Sequence, residues 1–469
     1  MFKNYFKIAL RNMQKQKLFS FINISGLAVG IACCIVILLW IKYELSYDKF
    51  HENSKEICSV LIQYDKGAYQ TGLYGALPAA LKEEIPEIIN SARLSSLWPL
   101  NKNPIKYEEN SFVLTGNAAD PAFFDIFTYP FLKGDPKTAL SEPNSIVLTE
   151  ETAAKLFGDE EPINKSVQFE MWGRWQNVKI AGILKDFPQN STIKFDFVIP
   201  SSLMKRFRQT YDSWDDICSP AYVLLQKDVS YKSLNDKIKD FIVRHRPESK
   251  FTVHLFPLTK IHLHNYAGGG AITYIYIFSS IGILILVIAV LNYMNLSTAR
   301  SINRAKEIGI RKVVGSNRSQ LVTQFLSESI IVTIVALCFS LIILKLLIPI
   351  VNNVLESHLN LAYSGDFVLS VIGIVFFTGI ISGSYPAFYL SNFKPVNLLK
   401  GTRESGSKSI VFRKFLVLTQ FTISALLIIC AATAHKQLNY INNRDLGFNK
   451  EFIINLEMRG SFFQNRRNF

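Results

Sequence analysis

The chain has 469 residues, 49% hydrophobic and 19% charged, with a formal net charge of +14. A soluble protein carries about a quarter of its residues charged, so an all-soluble protein is excluded. A nucleic-acid footprint is excluded too: Glu44–Gly270 holds 26 Lys and Arg against 29 Asp and Glu, and the basic surplus lies wholly in segments flanking apolar runs, where it sets membrane orientation.

In chain order, Phe2, Phe6, Ala9, Leu10 and Met13 recur at helical spacing, with Lys3, Lys7, Arg11 and Lys15 elsewhere around the turn. This predicts an amphipathic helix over residues 1–17, lying among cytoplasmic lipid head groups. Leu18–Ile41 is uncharged and exceeds the roughly 20 apolar residues a span needs. It is too long for a signal-peptide core and lacks a small-residue cleavage site, so it is read as a retained helix over 18–43. Gly26 and Gly30 stand four apart within it, a spacing that lets helix backbones approach.

Residues 44–270 predict an α+β domain. Cys58–Gln63, Ser145–Leu148, Val178–Ile183, Phe195–Ile199, Ala221–Gln226 and Phe251–Leu255 read as strands, and Leu77–Ile85, Glu150–Leu156 and Leu234–His245 as helices. Their interleaving favours α+β over a sandwich. Asp120, Asp125 and Asp135 share no period and read as turn and cap residues. His262 and His264 share a face if IHLH is a strand, but neither they nor His254 have a Cys, Asp or Glu nearby in sequence, so no metal site is expected. No disulfide is expected between Cys58 and Cys218; Cys33, Cys34, Cys338 and Cys430 lie in apolar runs as small hydrophobes.

Four further spans follow, over about 272–296, 330–351, 367–390 and 415–434. Lys345 lies close enough to the end of its span to snorkel. Gly379 and Gly383 repeat the small-residue spacing, and Pro386 is expected to kink or end its helix. The segment before the first span, the loop containing Arg300–Arg318 and the loop 391–414 are all basic, which places all three in the cytoplasm. Residues 44–270 and the loop with Glu356, His358 and Asp366 then lie outside. Within 401–409, Ser407 displaces Lys408 from the register of a phosphate-binding loop and no buried strand precedes it. A flexible linker is expected there, with no nucleotide site and no cofactor.

The most informative stretch is Asn292–Ser316, NYMNLSTARSINRAKEIGIRKVVGS. It continues a span as a basic helix stopped by Gly315. Ile302, Ala305, Ile308 and Gly309 share one face, and Glu307 and Arg311 stand four apart, the spacing of a helical ion pair. A rigid charged helix continuous with a span can carry motion from a cytoplasmic partner into the membrane. The same charges also suit an anchor that touches only lipid head groups.

This stretch resembles the cytoplasmic coupling region of the MacB/FtsX-type ABC transporter permeases, approximately ARSxxRAKEIGIRKVxGA, with Ser316 where Ala is usual. FKNYFKIALRNMQKQKLFSFINISGLAVGI is similar to that family's entry into its first span. DPAFFDIFTYPFLKGDPKTALSEPNSIVLTEETAAKLFGDEEPINKSV is similar to its periplasmic core domain, with Asn164 where Gly is common; Asn tolerates positive φ. FPLTKIHLHN resembles the return to span two and GSYPAFYLSNFKPVNLLKG the exit from span four. FRKFLVLTQFTISALLIICAATAHKQLNYINNRDLGFN resembles the opening of a second half, so residues 435–469 read as the start of a truncated second external region.

The resemblance implies a non-catalytic permease in the bacterial inner membrane, driven by a dimeric cytoplasmic ABC ATPase. Motion would reach the external domain, for export of peptide, lipoprotein or drug, or for mechanotransmission. Arg300, Arg304, Ala305, Lys306, Glu307, Ile308, Gly309, Arg311, Lys312 and Gly315 would form the ATPase-coupling helix. A second permease copy and a periplasmic adaptor or cell-wall hydrolase are further partners it allows. The rival readings are a sensor with an external ligand-binding domain, which would need a cytoplasmic output domain, and an anchored hydrolase, which would need a nucleophile or metal constellation. Neither requirement is visible in the residues.

Overall fold

The computed structural model describes residues 11, 13–65, 67–97, 102–266, 268–303, 309–310, 312–355, 359, 365–391 and 406–445. They divide into two compact units, 44–273 and a helical unit drawn from the segments before and after it. The chain is a membrane protein with α-helical spans and an inserted α+β domain.

Helix α1 (Lys17–Leu45) comes first. The predicted interfacial helix falls mostly outside the described residues; Arg11 and Met13–Lys15 are helical. In the α+β unit the elements run β1 (Ile57–Tyr64), β2 (Tyr69–Gln70), β3 (Leu73–Tyr74), α2 (Leu77–Glu84), β4 (Ile88–Ser96), β5 (Lys102–Tyr107), β6 (Asn110–Ala119), α3 (Phe123–Ile126), β7 (Phe131–Gly134), β8 (Ser145–Thr149), α4 (Glu150–Phe157), β9 (Ser166–Met171), β10 (Arg174–Leu184), β11 (Phe197–Pro200), α5 (Ser201–Lys205), β12 (Ile217–Ser219), β13 (Ala221–Leu225), α6 (Tyr231–Ile238), α7 (Phe241–His245), β14 (Phe251–Pro257) and α8 (Leu258–His264).

One mixed sheet runs β11-β8-β10-β9-β5-β6-β4-β13-β1-β14, and a parallel β11–β6 pairing closes its first part on itself. The interior of that ring is filled by Ile105, Leu114, Ile146, Leu148, Val167, Phe169, Ile180 and Phe197, and α4 adds Leu156 and Phe157. Closure brings β6 and β11 together at Gly116 and Phe197, where a Cβ on Gly116 would stand 2.0 Å from the phenyl ring. Only a residue without a side chain fits there. A second core, with Val60, Leu81, Val223, Ile238 and Val253, lies between the β1/β13/β14 part of the sheet and helices α2, α6 and α7.

Helix α4 shows how sequence sets local structure. The Thr149 hydroxyl caps the Thr152 N–H at 3.4 Å, Glu150 and Glu151 occupy the first turn, and Gly158 ends the helix at φ +59. Asn164 takes φ +67, the conformation its side chain tolerates.

Three expectations are corrected. Leu234–His245 is two helices, because the Lys239 carbonyl accepts the Val253 N–H of β14 at 2.9 Å rather than continuing the helix. IHLH is helical, within α8, so His262 and His264 do not share a strand face. Asp120 is more than a turn residue, since its carboxylate grips Arg93. Asp135 does form a turn, accepting the Lys137 N–H at 3.0 Å. Cys58 is a free, buried thiol whose pKa burial pushes up to about 12; the side chain of Cys218 lies outside the described residues.

The helical unit continues with α9 (Ile272–Asn303), α10 (Arg318–Leu355), α11 (Gly365–Ser391) and α12 (Gly406–Asn443). With α1, five helices among the described residues are long and apolar enough to cross a membrane. Helices α1, α9, α10 and α11 share a core including Leu27, Ile31, Ile35, Ala289, Ala336 and Val371. Pro349 and Pro386 both lie inside helices. The C-terminal part of the expected linker is helical, because α12 starts at Gly406. Packing accounts for it: Phe412 stacks on Tyr385 at 4.1 Å and Leu416 is buried beside them.

Candidate functional site

The candidate site is the turn that joins α9 to α10 and the helix contacts behind it. The side chains of Arg300, Arg304, Ala305, Lys306, Glu307, Ile308 and Arg311 lie outside the described residues. Gly309 is buried and helical, Lys312 is half-buried and helical, and Gly315 ends the turn at φ +103. That left-handed backbone favours glycine and lets the chain reverse into α10.

Lys312 Nζ donates to the carbonyl of Ser391 at 2.6 Å, and Arg318 Nε donates to the Ser391 hydroxyl at 3.3 Å. Both cations therefore hold the last residue of α11, as basic groups favour a helix C-terminus. Burial, and then the charge of Arg318, lowers the pKa of Lys312. Sequence reasoning missed Ser391; its signal is a polar residue at the end of an apolar run, two helices after the basic loop that holds Lys312. Ile310, Val313 and Val314 stand 56%, 65% and 82% exposed, an apolar patch beside those cations.

Behind this turn, small residues bring the helices together. A Cβ on Gly30 would stand 2.7 Å from that of Ala289, and one on Gly26 would stand 3.2 Å from Asn292 Nδ2. On α11, a Cβ on Gly379 would meet Ile330 Cγ1 at 3.0 Å, and one on Gly383 would meet the Ser329 hydroxyl at 2.6 Å. That hydroxyl also bonds Tyr293 of α9 at 3.1 Å. Gly383→Leu is expected to force α10 from α11 at a cost of about 1–3 kcal/mol. Gly373→Leu, with nothing within 4 Å of its Cβ, serves as the control. Thermal unfolding of the detergent-purified chain compares the two.

In the α+β unit, His262 pairs with Glu44 and stacks on Tyr47 at 3.5 Å with the rings nearly parallel. This clip ties the start of the domain to its end. Nearby, Asp48 accepts the Thr192 N–H at 2.7 Å, and Asn190 Nδ2 donates to the Ser46 hydroxyl at 2.8 Å. His254 instead meets the Thr252 hydroxyl at 2.9 Å, and His264 is exposed. No group of three or more metal-ligating side chains occurs among the described residues.

The model of the MacB-like periplasmic core domain matches residues 20–241, and that of the FtsX-like permease C-terminal region matches 279–395. The macrolide export ATP-binding/permease protein MacB of Acinetobacter baylyi is 20% identical over 406 residues, 84% of this chain and 59% of that protein. The chain thus spans about three-fifths of the length of the MacB proteins of Acinetobacter baylyi and Neisseria meningitidis, and less of others it matches. The ABC transporter permease YvrN of Bacillus subtilis is 22% identical over 420 residues, 84% of this chain and 99% of that protein. Among solved structures, a domain of a permease protein from Porphyromonas gingivalis has 23% identity and a TM-score of 0.39, covering 44% of this chain and 92% of its own.

Proposed function

Because the chain belongs to the MacB/FtsX-type ABC transporter permeases, we propose that it couples ATP hydrolysis on a separate cytoplasmic ATPase dimer to movement of its own external domain, without catalysing a reaction itself. The observation that carries this reading is the double hold of Lys312 and Arg318 on Ser391 beside the exposed Ile310, Val313 and Val314. A partner seated on that apolar patch would push at once on the turn between α9 and α10 and on the end of α11. Arg300, Arg304, Ala305, Lys306, Glu307, Ile308, Gly309, Arg311, Lys312 and Gly315 are the residues assigned to this coupling segment.

In this scheme the N-terminus and residues 299–315 are cytoplasmic, and residues 44–270 are periplasmic, as the basic loops dictate. The apolar spans carry no acidic residue except near their ends, so they offer no ion or polar-solute path. The work is delivered outside, as export of peptide, lipoprotein or drug or as mechanotransmission to an adaptor or cell-wall hydrolase, and a second permease copy would complete the membrane unit. Reversing both charges, Glu307→Lys with Arg311→Glu, is expected to lower co-purification of the ATPase while membrane insertion is retained. Unchanged co-purification with unchanged stimulated ATP hydrolysis would refute the role.

A further inference from the structure

We infer that Asn23 of α1, Asn295 of α9 and Gln420 of α12 form a polar relay inside the membrane bundle that is open in this conformation and closes when the helices move. Asn23 is 3% exposed, and neither atom of its amide has a hydrogen-bond partner among the described residues. Asn295 is also buried; its Nδ2 lies 3.5 Å from Gln420 Oε1, while its Oδ1 is unpartnered among the described residues. Helices α1 and α9 contact through Gly30 against Ala289 and Gly26 against Asn292. As the number rises along one helix it falls along the other, so the pairing is antiparallel. Continuing it by one turn sets Asn23 level with Asn295.

The two deficits are complementary. Asn23 Nδ2 is a donor without an acceptor, and Asn295 Oδ1 is an acceptor without a donor. Buried amides left unpaired between membrane helices are costly, and interhelical hydrogen bonds are the usual remedy. A small slide or rotation of α1 on α9 would let Asn23 donate to Asn295, while Asn295 donates to Gln420, joining three helices in one chain of hydrogen bonds. The small residues at Gly26 and Gly30 leave backbone surfaces that can slide without unpacking large side chains. Two arrangements of one contact make the bistable element that a transmission device needs.

This rests on the permease reading, and the test separates the two. Asn23→Leu, Asn295→Leu and the double variant are made in the full-length chain and purified with and without the ATPase. In the chain alone, Asn23→Leu should raise the melting temperature, because it removes an unpaired buried amide. With the ATPase bound, each single variant should slow stimulated ATP turnover by about threefold, and by no more than roughly twentyfold, the range of one interhelical hydrogen bond. The double variant should be no slower than the slower single. Asn23→Cys combined with Asn295→Cys, in a chain whose native cysteines are replaced, should cross-link when the ATPase is trapped with nucleotide and not in its absence. A melting temperature lowered by Asn23→Leu, multiplicative slowing in the double variant, unchanged turnover, or cross-linking that ignores nucleotide would each overturn the relay. Failure of the ATPase to bind the unmodified chain would instead overturn the permease reading.

Discussion

Replacing Arg93 by alanine is expected to destabilise the external domain by roughly 3–5 kcal/mol, the cost of leaving a buried charge without its partner. Arg93 is 8% exposed and lies where β4 passes from β13 to β6: it pairs with Ala221, and the next residue, Leu94, with Ala119. Its guanidinium meets both oxygens of Asp120 at 2.9 Å, Asp212 at 2.8 Å and the Tyr211 carbonyl at 2.8 Å, and lies 4.3 Å above the Tyr211 ring. Asp120 also receives the Arg93 backbone N–H and the Ser201 hydroxyl. The Arg93–Asp120 pair therefore ties α5, through Ser201, and the 3-10 turn Gln209–Asp212 to the middle of the sheet.

Without Arg93, Asp120 keeps two donors but loses its countercharge. Asp212 retains Lys205 at 2.6 Å, so the loss falls on Asp120. Arg93→Lys should recover little, since an ammonium cannot reproduce the fork. The double variant Arg93→Met/Asp120→Leu should recover most of the loss, because apolar replacements remove the stranded charge. Urea unfolding of the full-length chain in detergent, followed by proteolysis of the external domain, measures all three. Equal losses in Arg93→Ala and the double variant would show that packing, and not the buried charge, sets the cost.

The bundle was legible because the bilayer demands long apolar runs, and these stand out whatever their partners. Helix ends were not, because Arg318–Glu328 and Gly406–Lys414 are polar or basic turns that extend a helix without being apolar. In the α+β unit, β1, β8 and β13 were legible as short, mainly apolar runs buried along nearly their whole length. Strands β5 and β9, in contrast, read as KNPIKY and SVQFEM; polar residues break their apolar pattern, with Asn103 and Glu170 buried among the apolar ones, and Pro104 argues against a strand. Ring closure through β11 and β6 depends on residues about eighty positions apart, and no local pattern announces it.

The site was legible to the same partial degree. The basic run after α9 marks the turn, but Ser391 meets Lys312 only after α10 and α11 have crossed the bundle and returned. Asp120 looked like a turn residue because its partner is 27 positions away. His262 looked partnerless because Glu44 is 218 positions away. Sequence spacing exposes pairs on one element and is blind to pairs that topology makes.

His51 carries the other large expected effect, in acid. It is 2% exposed within an aromatic cluster, with ring contacts to Phe50, Phe127 and Tyr129. The Thr128 N–H donates to its Nδ1 at 3.2 Å, and its Nε2 has no partner among the described residues. Burial pushes its pKa down from 6.5 to about 4. An imidazole held neutral in the fold takes up a proton more readily when unfolded. The unfolded state therefore binds more protons between these values, and stability falls as pH falls from about 6.5 to about 4. At about 1.4 kcal/mol per pH unit this amounts to roughly 3 kcal/mol, complete near pH 4 and absent above pH 7.

Asp48, three residues earlier, acts in the opposite sense: burial raises its pKa, although its hydrogen bonds to Thr192 resist the change. Asp212 and Asp216, held low by their basic partners against burial, add further acid sensitivity at lower pH. These groups act alike in the unmodified chain and in His51→Asn, whose Oδ1 can take the place of Nδ1 as acceptor for Thr128. The expected result is a difference in unfolding free energy between the two proteins that changes by roughly 3 kcal/mol from pH 7 to pH 4, with the variant the less acid-sensitive. A difference that stays constant across that interval would mean that His51 reaches a proton acceptor or solvent in the folded domain, and that the acid response lies with the carboxylates.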